Sequence, residues 1–209
     1  ELLDATTVGL VNAYQGTSYP ETPCLFVETA GNRAAAAEDL ELVVSFAREL
    51  GATDVVVEHD PDARAMLWKA RHSVAYAISA ASPGRKHRTT DTCVPVSQLA
   101  AHAAFARDAV ARSGMSGGII GHAGDGNLHV DLVLDADSDS DIAAVEGVAT
   151  LLVGDALARG GTVSGEHGIG IGKRGALAQE HPELGDLYAG IKGLFDPTGI
   201  MNPGKIIAS

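Results

Sequence analysis

The chain has 209 residues, of which 45% are hydrophobic and 20% are charged, close to the averages for globular proteins. This composition excludes a wholly disordered, fibrous or disulfide-stapled protein, and the length suits one large or two small domains. Fifteen basic residues against 27 acidic ones give a net charge of −12, which argues against a general binder of nucleic-acid backbones or anionic membranes.

The two cysteines, Cys24 and Cys93, each lie in an apolar stretch, which is typical of buried reduced thiols rather than of a zinc or redox pair. We therefore expect a cytoplasmic protein that is at most peripheral to a membrane through an electron acceptor. The longest uncharged run, residues 5–20, is too short and too polar for a membrane span, and we expect no secretory signal.

The first half of the chain predicts a strand, a helix, a strand and a helix. Residues 24–28 and 54–58 are β-rich runs, and apolar residues recur at helical spacing between them, over residues 32–51. A longer helical pattern then follows Pro61 as far as Pro83.

The second half begins with a basic, polar loop at residues 85–91. Residues 92–96 predict a strand at a sheet edge, because Pro95 cannot donate to a ladder, and Ser97 is the predicted cap of a helix over 98–112.

Two further strands, 117–121 and 128–134, are joined by a glycine-rich turn that predicts a hairpin, and a helix runs from 137–141 to Gly160. Two βαβ-like units fit this order better than a doubly wound sheet. After Gly160 come a glycine-punctuated loop, two short helical segments (175–180 and 182–195) and a turn-rich arm.

The predicted hairpin places His122 at the end of one strand and His129 at the start of the next. Residues opposite each other across a hairpin share a face of the sheet, so both rings can converge on one atom. With a nearby carboxylate they would suit Zn²⁺ or Mn²⁺. Structural or surface histidines are the alternative reading of this pattern.

The glycine-rich loop contains a second cluster, in which Glu166 and His167 are adjacent. Glu166 can supply a hard oxygen ligand, and His167 can accept a proton near neutral pH. Five glycines from Gly165 to Gly175 indicate a close backbone approach to a strand or a flat ligand, although a plain exposed turn is the simpler interpretation.

Arg71 lies on the predicted helix that follows Pro61. A guanidinium on the apolar side of a helix needs an anion, and its planar fork matches a carboxylate, so Arg71 is a candidate anchor for a small acid substrate. A surface arginine paired with a neighbouring acidic residue is the alternative.

Five stretches resemble one family, the flavin-linked D-2-hydroxy-acid dehydrogenases and oxidases of the vanillyl-alcohol-oxidase group. Within it the sequence is most similar to D-lactate dehydrogenases of the cytochrome type, with glycolate oxidases as close relatives. The stretches, in chain order, are WKARHSVAYA (68–77), TTDTCVPVSQL (89–99), GHAGDGNLHV (121–130), GGTVSGEHGIGIGKR (160–174) and FDPTGIMNPGKI (195–206).

The resemblance implies an α+β, ferredoxin-like substrate domain over residues 1–159, with an antiparallel sheet and helices on one face. Residues 160–209 would form a loop, short helices and a flavin-facing arm within the same structural unit. It also implies that the chain lacks the amino-terminal domain that holds most of the FAD.

The resemblance further assigns roles to the candidate residues. His122, His129 and Glu166 would hold a divalent metal, Zn or Mn, Arg71 would bind the substrate carboxylate, and His167 would take the hydroxyl proton while hydride leaves for the flavin. Asn202 and Lys205 would lie near the flavin.

The substrate implied is a short D-2-hydroxy monocarboxylate such as D-lactate or glycolate. Asp131, two residues after His129, would repel the distal carboxylate of a dicarboxylic acid. Two other functions stay open at this point. They are a metal-dependent hydrolase using His122, His129, Glu166 and a water, which would have no need of the Asn202–Lys205 arm, and a non-enzymatic interaction module, which metal content would distinguish.

Overall fold

A computed structural model describes residues 1–207 of the chain. Its strands are β1 (Leu2–Leu3), β2 (Cys24–Leu25), β3 (Lys86–Thr89), β4 (Thr92–Cys93), β5 (Ser116–His122) and β6 (Asn127–Leu134). They form one sheet in the order β2-β1-β5-β6-β3, with β4 also paired to β6. All these pairings are antiparallel, which confirms the predicted kind of sheet and the predicted β5–β6 hairpin.

Eight helices lie within the described residues. They are α1 (Ala5–Gln15), α2 (Arg33–Glu49), α3 (Pro61–His72), α4 (Val74–Ala81), α5 (Val96–Ser113), α6 (Asp139–Ala158), α7 (Arg174–Glu180) and α8 (Gly185–Phe195). Across residues 1–207 no helix is long and apolar enough to cross a membrane. The α+β class predicted from the sequence is confirmed.

Helices cover both faces of the sheet, which corrects the expectation of helices on one face. Leu128, Val130 and Leu132 of β6 pack in the core formed with α5 and α6. Val133 belongs to a second core formed with α1, α3 and α4. Because successive side chains of a strand point to opposite faces, the two cores lie on opposite sides of β6.

Helix α1 was not predicted from the sequence. Asp4 caps it by accepting a hydrogen bond from the backbone N–H of Thr7 at 2.9 Å, and Gly16 ends it in the left-handed conformation. Its threonines, glycine and asparagine are weak helix formers. Burial of Val8 and Val11 in the second core outweighs that weakness.

Residues 54–58 were expected to form a strand, and they do not. Val56 is 68% exposed, and β-branched residues alone do not make a strand when no neighbouring strand pairs with them. The loop expected at 85–91 contains a strand instead. There β3 pairs with β6, from Lys86 opposite Leu134 to Thr89 opposite Asp131.

Two helix boundaries also differ from the expectation. The long helix predicted after Pro61 divides at Ser73 into α3 and α4, and the hydroxyl of Ser73 donates to the carbonyl of Ala70 at 2.9 Å. Helix α5 begins at Val96, directly after Pro95, and the predicted cap Ser97 lies inside it. Boundaries set by such local hydrogen bonds are only weakly marked in a sequence.

The segment after α6 returns to the sheet through a bridge between Thr162 and Cys93. We propose the same division as before, 1–159 for the substrate domain and 160–209 for the loop, helices and arm, joined in one structural unit. Residues 208 and 209 of that second part lie outside the described residues.

Candidate functional site

Three imidazoles and one carboxylate converge on the sheet face against which α1, α3 and α4 pack. The Oε1 atom of Glu166 lies 3.0 Å from Nε2 of His129, 3.4 Å from Nε2 of His122 and 3.3 Å from Nε2 of His167. The structure therefore brings together both clusters singled out in the sequence, the histidines of the hairpin and the pair in the glycine-rich loop.

The strand register explains why the two hairpin histidines meet. His122 of β5 lies opposite Asn127 of β6, and His129 is two residues further along β6, on the same face. Their ring centroids are 5.3 Å apart in an edge-to-face arrangement, and the ring of His167 stacks on His129 at 4.8 Å.

The buried ring of His129 presents a lone pair toward Glu166. Its Nδ1 lies 3.1 Å from the carbonyl oxygen of Thr90, which can only accept, so Nδ1 carries the proton of the neutral ring. Its Nε2 is buried and has no hydrogen-bond partner within residues 1–207. Its neighbour Glu166 is an acceptor as well, so two electron-rich atoms face each other.

Asp91 organises the loop that carries Glu166 and His167, and the sequence analysis did not single it out. Its side chain has no exposed surface, and its oxygens accept hydrogen bonds from the backbone N–H groups of Gly165 (3.1 Å), Glu166 (3.2 Å) and His167 (3.0 Å). Three side chains also donate to it: Ser164 at 2.9 Å, Asn127 at 2.8 Å and Lys173 at 2.9 Å.

These donors fix the charge of Asp91. Burial alone would raise its pKa, but the hydrogen bonds from Lys173, His167, Asn127 and Ser164 outweigh burial and hold the pKa far below its usual value. The sequence contained a signal for this role of Asp91: it is a charged residue directly before a buried strand, and Lys173 lies in the glycine-rich loop.

The close backbone approach expected of the glycine-rich loop occurs at Gly165. A Cβ there would lie 2.0 Å from Nδ2 of Asn127 and 2.9 Å from Oδ1 of Asp91. At Gly168 glycine is favoured by the backbone conformation instead, because its φ of 73° lies in the left-handed region that side chains disfavour. At Gly170 and Gly175 a Cβ would meet nothing within 4 Å, so the expectation fails at those two positions.

Arg71 faces the site and is paired with the acidic side chain of Glu1, but its own side chain is only 14% exposed, unlike the surface arginine of the alternative interpretation. Its role as substrate anchor stays a prediction. Its Nε and Nη2 donate to Oε2 of Glu1 at 3.1 and 2.9 Å, and Oε1 of Glu1 lies 3.1 Å from Nδ1 of His122. Burial would raise the pKa of Glu1, but the hydrogen bond and charge of Arg71, with those of His122, lower it.

Asp131 lies on the same face, next to His87. It is 7% exposed, and its Oδ1 is 3.4 Å from Nδ1 of His87 without a hydrogen bond in the described structure. Burial raises the pKa of Asp131, and the nearby His87 and His129 offset this only in part.

The remaining predicted residues lie apart from the cluster. Asn202 and Lys205 sit on the arm, and no hydrogen bond or ion pair joins them to the histidines among the described residues, so their flavin-facing role stays a prediction.

The chain is similar to known proteins over nearly its full length. Residues 1–206 match the family described as FAD linked oxidases, C-terminal domain. A probable mitochondrial D-lactate dehydrogenase of Danio rerio is 37% identical over 99% of this chain and 42% of its own length. The mitochondrial D-lactate dehydrogenase [cytochrome] of Arabidopsis thaliana is 35% identical over 99% of this chain and 37% of its own length. A glycolate oxidase subunit of Bacillus subtilis is 30% identical over 100% of this chain and 44% of its own length.

The chain thus spans about two fifths of the length of these relatives. Two of them are designated mitochondrial, so the cytoplasmic location expected from the thiols stays a prediction. Among solved structures, 4-ethylphenol oxidase from Gulosibacter chungangensis shares the fold, with a TM-score of 0.65 over 99% of this chain and 46% of the other. At 14% identity this likeness concerns the fold alone.

Proposed function

The chain belongs to the family of FAD-linked oxidase C-terminal domains, and from that premise we propose that it binds the substrate and a divalent metal in an enzyme that oxidises a D-2-hydroxy acid. The observation that carries this proposal is the convergence of three imidazoles on the Glu166 carboxylate. The proposed substrate is D-lactate or glycolate, and the product is the corresponding 2-oxo acid.

The donor set of His122, His129 and Glu166 fits a divalent cation such as Zn²⁺ or Mn²⁺. One ligand atom from each lies within 4.8 Å of the other two. Metal bonds of about 2.1 Å at tetrahedral or octahedral angles separate two ligand atoms by about 3.0–3.4 Å, as seen here between Glu166 and the histidines. A cation also supplies the partner that the buried Nε2 of His129 lacks.

His167 is the proposed proton acceptor for the 2-hydroxyl of the substrate. Its ring is stacked on His129 beside the metal ligands, and its side chain is 46% exposed, so it can reach a substrate. When bound, the metal supplies Lewis acidity to the hydroxyl and the flavin supplies the acceptor for the C2 hydride. His167 then holds the proton that balances this two-electron oxidation.

Arg71 is the proposed anchor of the substrate carboxylate. Two of its nitrogens are engaged by Glu1, and Nη1 makes no hydrogen bond within residues 1–207, which leaves a donor for a second carboxylate. The nearby Asp131 provides no positive charge for a distal carboxylate, which supports a monocarboxylic substrate.

The flavin is proposed to come from an amino-terminal domain that docks near α8 and the arm. None of the α8 residues is buried, and large apolar side chains are exposed there and along the arm: Leu187, Ile191, Leu194, Phe195, Ile200 and Met201. Such a patch marks an interface. Asn202 and Lys205 would face the flavin from this arm.

Elemental analysis of the purified chain tests the metal site. The wild type should carry up to one divalent metal per chain, and the His122→Ala, His129→Ala double variant should carry much less. His181→Ala is a control, because the His181 ring pairs with Glu180 and Glu183 and, among the described residues, makes no ion pair or hydrogen bond with His122, His129 or Glu166. Equal metal content in all three proteins would show that the two imidazoles are structural.

Anaerobic mixing with substrate tests the redox proposal in the full-length protein with its flavin domain. D-lactate or glycolate should bleach the flavin band, and L-lactate should not. Bleaching by L-lactate alone, or by no 2-hydroxy acid, would contradict the proposal.

A further inference from the structure

The carboxylate of Glu1 bridges the two halves of the site. One oxygen, Oε2, accepts from two nitrogens of Arg71, and the other, Oε1, lies 3.1 Å from Nδ1 of His122. The Glu1 side chain is 23% exposed and that of Arg71 is 14% exposed, so water has limited access to these contacts. The bridge is therefore a partly desolvated, charge-assisted connection.

The sheet itself sets the position of Glu1. Leu2 pairs with Gly121 and Leu3 with Ile120, and in an antiparallel register the residue before Leu2 lies opposite His122. The carbonyl of Glu1 also accepts from the backbone N–H of Phe26 at 2.8 Å. The carboxylate thus reaches His122 from a cross-strand neighbour whose backbone is fixed.

A carboxylate beside Nδ1 determines which nitrogen of His122 carries the proton. Nδ1 makes a hydrogen bond with Oε1 of Glu1 at 3.1 Å, whereas Nε2 lies 3.4 Å from Oε1 of Glu166 and makes no hydrogen bond within residues 1–207. The nearer carboxylate, which can only accept, therefore holds the proton on Nδ1 and leaves the lone pair of Nε2 directed toward Glu166. Thr90 does the same for His129 through its carbonyl oxygen. Both rings then present Nε2 to the same point, which is the arrangement that a bound cation needs.

We propose that Glu1 is a positioning residue that holds His122 in the Nδ1–H tautomer, with Nε2 presented to the divalent metal, while Arg71 holds the Glu1 carboxylate in place. This inference rests on the proposed metal site, but the tautomer that it specifies exists with or without metal. Arg71 then has two tasks, one toward Glu1 through Nε and Nη2 and one toward substrate through Nη1.

Long-range ¹H–¹⁵N NMR spectra of the metal-free chain near neutral pH test the tautomer directly. The His122 ring should be Nδ1–H in the wild type and should shift toward Nε2–H in Glu1→Gln. Glu28→Gln is the matched control, because Glu28 pairs with Arg64 on the exposed surface and does not touch a histidine. A wild-type ring in the Nε2–H form would overturn the proposal.

Titration with Mn²⁺ by calorimetry tests the consequence for the metal. Glu1→Gln should weaken Mn²⁺ affinity by about 10-fold or more, as loss of outer-shell partners does elsewhere, and Glu28→Gln should not change it. In the His122→Ala background, Glu1→Gln should have no further effect. An unchanged affinity in Glu1→Gln, or an equal loss in both backgrounds, would contradict the proposal.

The two failures are distinguishable. A wild-type chain that binds no Mn²⁺ contradicts the proposed metal site, whereas the NMR tautomer still decides whether Glu1 orients His122. Thermal unfolding of each variant shows whether a change in affinity comes from loss of the fold.

Discussion

The backbone N–H of His167 donates to the carboxylate of Asp91 at 3.0 Å, so a side chain with no exposed surface positions one that is 46% exposed. The same carboxylate binds the N–H groups of Gly165 and Glu166. The loop has no helix or strand of its own between Ser164 and Gly168. Its conformation therefore depends on one buried anion.

Asp91→Asn should destabilise the protein by about 3–5 kcal/mol, because it removes a buried charge and leaves the Lys173 ammonium without its carboxylate partner. The new amide N–H₂ also faces backbone donors. Urea unfolding measures the change. Asp137→Asn, at an exposed position, should alter the free energy of unfolding by less than about 0.5 kcal/mol. Similar small effects in both variants would mean that Asp91 does not organise the loop.

Gly165→Ala should destabilise the protein by about 1–3 kcal/mol or displace the loop, since the new Cβ collides with Asn127 and Asp91. Gly170→Ala in the same loop is the matched control, because its Cβ meets no atom within 4 Å. Thermal unfolding of the two variants should differ clearly. If both unfold like the wild type, the tight approach at Gly165 is not real.

Acid should weaken the contacts of Asp155 with His102 on α5 and with Arg159, the residue directly after α6. Burial would raise the pKa of Asp155, but Arg159 and His102 lower it below its ordinary 3.8. A carboxyl with a lowered pKa stabilises the fold fully above that ordinary value and loses its contribution as the pH falls below it.

Asp155→Asn should therefore reduce the loss of unfolding free energy between pH 6 and pH 3, measured by denaturant titration at each pH. The variant keeps an acceptor for Nδ1 of His102, which lies 2.7 Å from Asp155. The exposed Asp108→Asn serves as control and should keep the wild-type pH dependence. Parallel curves for wild type and Asp155→Asn would refute this assignment.

Arg71→Lys should lower kcat/KM for D-lactate by about 10- to 100-fold in the full-length enzyme, since a hydrogen bond to a charged group is worth about 1.5–3 kcal/mol. Much of the loss should appear in KM, because the carboxylate is bound in the ground state and the transition state alike. His167→Ala should instead depress kcat. An unchanged kcat/KM in Arg71→Lys would place the anchor elsewhere.

The isolated chain should bind no FAD tightly, because the proposed flavin contacts belong mainly to the amino-terminal domain. FAD is added to the purified chain, unbound FAD is removed, and the visible spectrum of the protein is recorded. Protein-free buffer taken through the same steps is the blank. A stoichiometric flavin band would overturn the expectation. It would also show that α8 and the arm suffice to hold the cofactor.

Local sequence patterns predicted those elements of the fold that form through contacts between residues close together in the chain. Strand β6 alternates polar and apolar residues over 127–132 after a glycine-rich turn, and both the predicted hairpin and the convergence of its two histidines are found. Residues 54–58 have the same β-rich composition but no partner strand, which composition alone cannot reveal. Helix α1 has weak helix formers and exists through tertiary burial, so its local signal is poor.

The candidate site likewise contains residues that local patterns predicted and residues that they did not. His122, His129, Glu166 and His167 stand in short motifs with recognisable chemistry, and the structure brings them together. Glu1 and Asp91 act through residues 121 and 76 positions away along the chain. Contacts over such separations depend on strand register and loop closure, which no local pattern encodes.

The burial of β6 on both faces divides the site into parts that should open at different rates. The amide protons of β6, between two cores, should exchange with deuterated solvent only when the sheet opens, whereas those of the 164–168 loop need only the Asp91 contacts to break. A local opening of this loop would withdraw Glu166 and His167 together and leave His122 and His129 in place. The proposed metal could then enter or leave while the rest of the domain stays folded.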